Sequence, residues 1–234
     1  MILEEFIKEL EKINITISSE ALEKLNKYYN LLVETNKYIN LTAITEEKDV
    51  YLKHFYDSLT TIKVINLDKN IDICDLGTGA GFPGIVLKIV FPKIKLTLVD
   101  SLAKRCKFLE EVVKELNLTN TKVECKRIEE YSKENIEKHD ILITRAVAKT
   151  SIILELGLQA LKIKGNFILL KGNIEEELKN IKLVEKELKV KLNKQEEFLL
   201  PVENSKRTIL VFKKEVSTPV KYPRDFAKIK KNPL

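Results

Sequence analysis

Apolar residues recur at helical spacing through the first 65 residues of the chain. Two helices are predicted by two such series: Leu3, Phe6, Ile7 and Leu10, and then Leu22, Leu25, Tyr28, Tyr29 and Leu32. Ser18 and Ser19 offer N-capping oxygens just before the second series, and a further short helix is expected over 48–65. Residues 1–65 are therefore predicted to form an N-terminal helical cap packed on the main domain.

From residue 71 the pattern changes to alternating strands and helices. Strands are predicted over 71–76, 95–100, 121–126, 141–144, 165–171, 195–200 and 208–213. Helices are predicted over 83–90, 103–116, 151–163 and 174–189. Such a series indicates an α/β fold, Rossmann-like, with a mostly parallel seven-stranded sheet. The last two strands are separated only by a loop, so one of them is expected to be antiparallel. Residues 66–234 are assigned to this domain.

Four of the seven glycines lie within eight residues of one another, between the first strand and its helix. They are Gly77, Gly79, Gly81 and Gly84. A strand, a glycine-rich turn and a helix N-terminus let the backbone approach a nucleotide-like ligand closely. The cluster therefore predicts a binding site.

Two ligand templates fit this turn. Residues 79–84 satisfy the G-x-G-x-x-G fingerprint of dinucleotide sites, whereas 75–81 resemble the acidic-x-G-x-G-x-G turn of class I S-adenosylmethionine (SAM) methyltransferases. SAM carries no phosphate but has a sulfonium and an ammonium group, for which Asp75 is a suitable partner, and this favours SAM. Asp100, about 20 residues on, is expected at the ribose hydroxyls with either ligand. Phe82 is expected either in the core or over the adenine.

The end of the fourth strand bears on the methyl acceptor. It reads Thr144-Arg145-Ala146, not the Asn/Asp-Pro-Pro-aromatic element typical of amino-methylating enzymes. A base that presents a lone pair, such as guanine N7, needs only alignment with the methyl group. Arg145 is a candidate to hold guanine O6 or a phosphate, or else to form an ion pair with a local carboxylate. Lys171 is expected at the same edge as a second cation.

The remaining reactive side chains give weaker signals. Cysteine-dependent C5 methylation is disfavoured, and the three thiols are expected to be buried and inert: Cys74, Cys106 and Cys125. Neither a metal site nor a disulfide framework is expected. His139 is expected at the surface, while His54 and Asp57 share a helix face with their roles left open.

Charge and composition limit the class of protein. The chain carries a net charge of +6, and residues 213–234 hold seven Lys or Arg against two acids. This basic tail indicates either a polyanionic partner or a solvated lysine-rich surface. No apolar run approaches the ~20 residues that span a bilayer. We expect a cytoplasmic, monomeric protein with no membrane and no metal partner.

Several segments in a fixed order carry a family resemblance. They are NLTAI at 40–44, HFYDSL at 54–59, DLGTGAGFPG at 75–84, RAVA at 145–148, KG at 171–172, YPR at 222–224 and PL at 233–234. The chain resembles the glucose-inhibited division protein B (RsmG) family of small-subunit rRNA methyltransferases over residues 36–234. It departs from the family pattern at Thr78, Ile128 and the Asp225-Phe226 pair.

The resemblance implies transfer of a methyl group from SAM to N7 of guanine 527 in 16S rRNA. The cofactor contacts expected from the turn and the resemblance are Asp75, Gly77, Gly79, Gly81, Phe82, Asp100, Ser101, Leu102, Ile128, Glu129 and Arg145. Arg145 and Lys171 are expected to act on the acceptor. RNA contacts are expected from Lys104, Arg105, Lys107, Arg224, Lys228, Lys230 and Lys231.

Two other functions remain open on the sequence. One is a small-molecule methyltransferase with the same SAM site. The other is a protein that binds SAM or a dinucleotide without turnover. Dependence of activity on the basic tail and on salt separates the RNA reaction from the first, and a turnover assay separates catalysis from the second.

Overall fold

Helices make up most of the first 63 residues. α1 (Leu3–Lys12) and α2 (Ser19–Asn36) are followed by a run of short helical segments. These are α3 (Glu47–Asp49), a π-helical segment (Val50–Tyr56), α4 (Asp57–Leu59) and a 3-10 turn (Thr60–Lys63). As the sequence predicts, Ser18 caps α2, its hydroxyl accepting a hydrogen bond from the amide of Ala21 at 3.2 Å.

Seven strands form one sheet in the computed structural model, which describes residues 1–172, 174 and 177–234. They are β1 (Asp72–Leu76), β2 (Lys95–Asp100), β3 (Thr121–Cys125), β4 (His139–Arg145), β5 (Leu161–Lys171), β6 (Val190–Leu199) and β7 (Lys206–Lys214). Their order is β3-β2-β1-β4-β5-β7-β6. β7 runs antiparallel to the other six strands, so the predicted mixed sheet with one reversed strand is confirmed. The strand order reverses beside β1, where such sheets bind ligands.

Helices cover both faces of the sheet. Along β1, Ile73 belongs to the apolar cluster on one face and Cys74 and Leu76 to the cluster on the other, as the pleat requires. The first face packs against α1, α2, α5 (Gly84–Val90) and α6 (Ala103–Glu115). The second packs against α7 (Ile128–Glu134), α8 (Thr150–Gly157), α9 (Ile181–Leu188) and α10 (Phe226–Lys231). The N-terminal helices thus share one core with the sheet.

Several predicted boundaries are wrong in the second half of the chain. The helix predicted over 151–163 ends at Gly157, a 3-10 turn (Leu158–Ala160) follows, and β5 already begins at Leu161, which pairs with His139 of β4. The helix predicted over 174–189 begins at Ile181; residues 173, 175 and 176 lie outside the described part. β6 begins at Val190, five residues before its predicted start. The prediction missed this part because β6 is a polar edge strand whose apolar pattern is weak.

The helices α7 and α10 were not predicted. Each is seven residues or fewer, which is too short for a repeating apolar face to be visible in the sequence. Two side-chain expectations also fail. Cys125 is exposed because it ends the edge strand β3, while Cys74 and Cys106 are buried as expected.

His139 is buried, not at the surface as predicted. Its Nδ1 lies 2.5 Å from Asp72 Oδ1, and its Nε2 lies 2.7 Å from the hydroxyl of Tyr131. The imidazole is polar enough to look like a surface group in sequence. Partners on β1 and α7 satisfy both nitrogens and allow it to stay inside.

Tyr28 joins the N-terminal helices to the glycine turn. Its hydroxyl is buried and donates a hydrogen bond to the carbonyl of Ala80. Its ring lies 5.4 Å from that of Phe82 and 5.8 Å from that of Phe55, measured between centroids. Burial raises the pKa of Tyr28 well above its usual value, so the hydroxyl remains a donor. α2 therefore supports the turn from one side.

Replacing Tyr28 with Phe should destabilise the protein by about 1–3 kcal/mol, because the buried carbonyl of Ala80 loses its donor. Urea unfolding followed by circular dichroism measures the free energy of unfolding. Tyr38→Phe is the matched control, since Tyr38 is 83% exposed. Equal small changes in the two variants would show that the Tyr28 hydroxyl does not support the turn.

Candidate active site

A buried carboxylate shapes the turn that follows β1. Asp75 is fully buried, and its Oδ2 accepts hydrogen bonds from the Thr78 hydroxyl at 2.6 Å and the Gly84 amide at 2.8 Å. These two bonds draw the turn and the first residue of α5 around one oxygen atom. Thr78 supplies the hydroxyl where the resemblance suggests a serine, so this departure preserves the bond.

A cavity opens beside this turn, but Asp75 does not line it. Burial raises its pKa to about 6, although the bonds from Thr78 and Gly84 oppose the shift. Its Oδ1 is buried without a hydrogen-bond partner in the described part of the chain. The structure thus gives Asp75 a role in shaping the turn, and its direct contact with SAM remains a prediction.

Glycine is required in the turn for two different reasons. Gly77, Gly79 and Gly81 have φ angles of +68°, +62° and +104°, which L side chains rarely adopt. A Cβ on Gly79 would meet nothing within 4 Å, so its backbone faces open space. A Cβ on Gly81 would lie 2.7 Å from the Tyr28 hydroxyl. Gly81, predicted to contact the cofactor, therefore packs against α2, away from the cavity.

One cavity of about 560 Å³ opens beside Gly77 and Gly79, at the carboxyl ends of β1, β2 and β4. Nine of the predicted cofactor residues line it. These are Gly77, Gly79, Phe82, Asp100, Ser101, Leu102, Ile128, Glu129 and Arg145. The volume lies within the range of small-molecule sites. Sequence reasoning thus found a large part of the residues that line the cavity.

Asp100 links the glycine turn to the start of α6. It is 4% exposed. Its Oδ2 accepts the Gly79 amide and its Oδ1 accepts the Leu102 amide, each at 3.0 Å. Arg105, predicted to bind RNA, also lines this cavity, with Nη1 3.5 Å from Asp100 Oδ2. Asp100 is therefore a fixed carboxylate at the edge of the cavity, as a ribose contact requires.

Arg145 lines the same cavity from the end of β4, on the other side of β1 from Asp100 and β2. Its Nη1 donates to the carbonyl of Lys53 at 2.9 Å and to Asp57 Oδ2 at 3.2 Å. Its guanidinium carbon lies 5.0 Å from the centroid of the Phe82 ring. Arg145 forms the local ion pair that was one of its two interpretations, and it also lines the cavity. Its contact with guanine or phosphate stays a prediction.

His54 is the third partner of Arg145, and it comes from the π-helical segment. Its Nδ1 accepts a hydrogen bond from Arg145 Nη2 at 3.0 Å. Nε2 must therefore carry the proton, which it donates to Thr42 Oγ1 at 2.9 Å. Burial, with Arg145 nearby, lowers the pKa of His54 to about 3. The imidazole is thus neutral at physiological pH.

Phe82 lies in the core, which is one of the two places expected for it, and its contact with adenine stays a prediction. Its ring stacks on His54 with centroids 4.3 Å apart, and it lies in the apolar core beside Tyr28. It also lines the cavity. The imidazole and the Arg145 guanidinium, which are hydrogen-bonded to each other, both lie against the Phe82 ring.

Sequence reasoning missed Arg207, at the start of β7. Its Nε lies 3.1 Å from Asp57 Oδ1, so Asp57 lies between two arginines. The two partners are 150 residues apart in the chain, and no motif connects them. Arg207 does not itself line the cavity. The lining residues that sequence reasoning missed are Leu41, Thr42, Thr78, Ala80, Lys126, Arg127, Ala146, Val147, Ala148, Leu156 and Phe226. Leu41 and Thr42 belong to the NLTAI segment, which carries part of the family resemblance but was given no role in the predicted site.

Lys171 is not at the mouth of the cavity, contrary to expectation. Its side chain is 8% exposed. Its Nζ donates to the carbonyl of Ala148 and to Glu177 Oε2, the latter at 2.9 Å. Glu177 also accepts hydrogen bonds from the amide and hydroxyl of Thr150, at the start of α8. Lys171 is therefore a structural cation in an internal network.

The basic residues predicted to bind RNA separate into two groups. Arg224 forms a forked pair with Glu155, with two N–O distances of 2.6 Å, and so is occupied inside the protein. Lys228 lies 3.2 Å from Asp225 at the surface. Lys104, Lys107, Lys230 and Lys231 are exposed.

Among the residues described, no cluster of three or more His, Cys, Asp or Glu side chains has the arrangement to hold a metal ion. Within the same residues, no helix is long and apolar enough to cross a membrane.

Comparison with known proteins identifies close relatives. Residues 21–210 match the family model for rRNA small subunit methyltransferase G. A protein of that name from Mesoplasma florum is 50% identical over 216 residues, which is 92% of this chain and 90% of the relative. The one from Halalkalibacterium halodurans is 42% identical over the full length of both chains.

Solved structures share the fold. A SAM-dependent methyltransferase from Aquifex aeolicus superposes with a TM-score of 0.51 at 19% identity, over 71% of this chain and 93% of that one. TYW2 from M. jannaschii, in complex with AdoMet, gives 0.52 at 17% identity, over 63% and 70% of the two chains. This supports the Rossmann-like class I fold.

The lowered pKa of His54 should make stability depend on pH. Between about pH 6.5 and 3 the unfolded chain binds a proton at His54 that the folded chain does not. This residue's contribution is therefore complete above pH 6.5 and is lost as the pH falls, by up to about 1.4 kcal/mol per pH unit. Asp75, with its raised pKa, acts in the opposite direction, its contribution being lost as the pH rises from about 4 to 6.

His54→Gln isolates the histidine, since Asp75 is present in both proteins. The measurement is the free energy of unfolding in urea at pH 4.5, 5.5 and 7.5. The difference in stability between the unaltered protein and the variant should shrink as the pH falls. A difference that is the same at all three pH values would contradict the neutral, buried imidazole.

Proposed function

We propose that this chain, which belongs to the rRNA small subunit methyltransferase G family, methylates N7 of guanine 527 in 16S rRNA. The chain is a SAM-dependent methyltransferase. The observation that carries the proposal is the meeting of the glycine turn, Asp100 and Arg145 in one cavity. We also propose that the enzyme acts in the cytoplasm, and that it acts as a monomer, since one chain provides the whole lining of the cavity.

The donor side is formed by the turn, by Asp100 and by the start of α7. When bound, SAM supplies a methyl group on a positively charged sulfur. The residues present fit SAM, because the bare backbone at Gly79 admits a close ligand and the fixed Asp100 carboxylate can accept hydrogen bonds from ribose hydroxyls. Ile128 and Glu129 form the adenine side. Gly77 and Gly79 face the methionine side.

The acceptor side is formed by Arg145 and the segment around His54. Guanine N7 presents a lone pair, so it needs alignment and no general base. Three N–H groups of Arg145 are directed to Lys53, Asp57 and His54, which fixes the plane of the guanidinium. The remaining donors are available for guanine O6 or a phosphate. A neutral His54 adds no positive charge beside the cationic sulfur.

Substrate RNA is bound mainly by exposed lysines around the cavity. Lys104 and Lys107 of α6 and Lys230 and Lys231 of α10 are exposed, and Lys126 lines the cavity. Such contacts displace counterions from phosphates, so affinity should fall as salt rises. The helices of residues 1–65 act as a cap, because they supply three of the groups that hold Arg145 in place.

A methyl-transfer assay with tritiated SAM tests this function on 30S subunits and on naked 16S rRNA, both from cells that lack the modification. Label should appear at guanine N7 at position 527. Arg145→Lys, which keeps the charge but loses the planar fork, should lower kcat/KM by about 10²-fold or more, because a misplaced acceptor reacts slowly.

Lys93→Ala is the control for this assay. Lys93 is exposed and pairs with Asp68. It lies just before the first residue of β2, whereas the cavity is at the last residue of that strand. It should leave kcat/KM unchanged. Label at another position or on another base would overturn the proposed acceptor. Methylation of small molecules without methylation of rRNA would favour the alternative enzyme class.

A further inference from the structure

An aromatic residue from the C-terminal segment lines the cofactor cavity. Phe226 is the first residue of α10 and is 39% exposed. It lies beyond residues 21–210, which match the family model, and in the pair where the sequence departs from the family pattern. An exposed aromatic ring at the wall of a binding cavity is available for stacking with a ligand.

The segment that carries Phe226 is firmly anchored. Arg224 forms its fork with Glu155, a fully buried carboxylate. The carbonyl of Tyr222 accepts a hydrogen bond from Gln159 Nε2 at 2.8 Å, and Ile229 is fully buried in the core beside α8. Phe226 lies between these anchors. The backbone that carries its ring is therefore fixed beside the cavity.

The neighbours of Phe226 identify the end of the cavity that it faces. The guanidinium carbon of Arg127 lies 5.9 Å from the centroid of the Phe226 ring. Arg127 immediately precedes Ile128 and Glu129, which line the same cavity and form the proposed adenine side. Arg145 and His54 are on the acceptor side. Phe226 therefore belongs to the adenine end.

We propose that Phe226 binds the adenine ring of SAM by stacking, with Arg127 holding the phenyl ring in place. This inference rests on the proposed position of SAM in the cavity. Adenine presents a flat π surface, and stacking of a base on an aromatic side chain is a substantial and geometrically tolerant interaction. α10 therefore completes the cofactor site from the C-terminal end of the chain.

Calorimetric titration tests the stacking with two probes, SAM and 5′-methylthioadenosine. The second probe keeps the adenosine and lacks the amino-acid end. Phe226→Ala should raise the Kd of both probes by a similar factor, about 5- to 100-fold. Phe226→Tyr should keep both within about twofold, since it retains the ring. Val220→Ala is the control, because Val220 is 96% exposed on the same segment.

Fluorescence gives an independent readout. The chain contains no tryptophan, so Phe226→Trp introduces a unique fluorophore at this position. Stacking predicts a change in its emission on addition of either SAM or 5′-methylthioadenosine. Free methionine, which lacks the adenine, should produce no change.

Two results would overturn the inference. One is an unchanged Kd for both probes in Phe226→Ala. The other is a raised KM for rRNA with unchanged cofactor binding, which would assign Phe226 to the RNA. Asp100→Ala separates these from failure of the cavity assignment. If it leaves SAM binding intact, SAM lies elsewhere; if it weakens SAM binding and Phe226→Ala does not, only the stacking is wrong.

Discussion

The buried carboxylate of Asp75 is the constraint on which the donor side of the site depends. An ionisable group without access to water must find hydrogen bonds inside the protein. Here one oxygen takes the Thr78 hydroxyl and the Gly84 amide, so the turn must curl around it. The curl requires positive φ angles, which glycine provides. The bare backbone of Gly79 then faces open space at the cavity.

The acceptor side depends on contacts between the N-terminal helices and the sheet. Arg145 ends β4, but the groups that orient it come from the π-helical segment and from Asp57 in α4. Arg207 of β7 fixes Asp57 from the other side. Tyr28 of α2 holds the glycine turn through Ala80. The N-terminal helices are thus part of the site and not only a cover over the core.

Much of the fold and of the cofactor wall could be predicted because their signals are local. A strand, a glycine turn and a helix follow one another in sequence, and Asp100 ends the next strand, so the sheet brings them together. Gly79, Asp100, Ile128 and Arg145 all line one cavity, and their contact with SAM stays a prediction. The sequence also predicted Lys171 at this edge of the sheet, and Lys171 is the last residue of β5.

The predictions failed where they treated a basic side chain as unpaired and free to bind substrate. Lys171 is taken by Glu177 and Arg224 by Glu155, and a single sequence does not reveal which distant carboxylate will neutralise a given cation. The prediction that His139 lies at the surface was wrong for the same reason, since Asp72 and Tyr131 bind both of its ring nitrogens inside the protein. In the sequence, Phe226 stands out only as part of a departure from the family pattern. Its place on the cavity wall depends on how the C-terminal segment folds back.

The central claim is that one cavity holds the donor between the glycine turn and Asp100 and presents it to Arg145. A crystal structure with S-adenosylhomocysteine tests this most directly. The predicted result is a ribose bound to the Asp100 carboxylate, an adenine beside Ile128, and a sulfur atom facing the side of the cavity that Arg145 and His54 line. A ligand bound outside this cavity, or one whose sulfur faces away from Arg145, would contradict it.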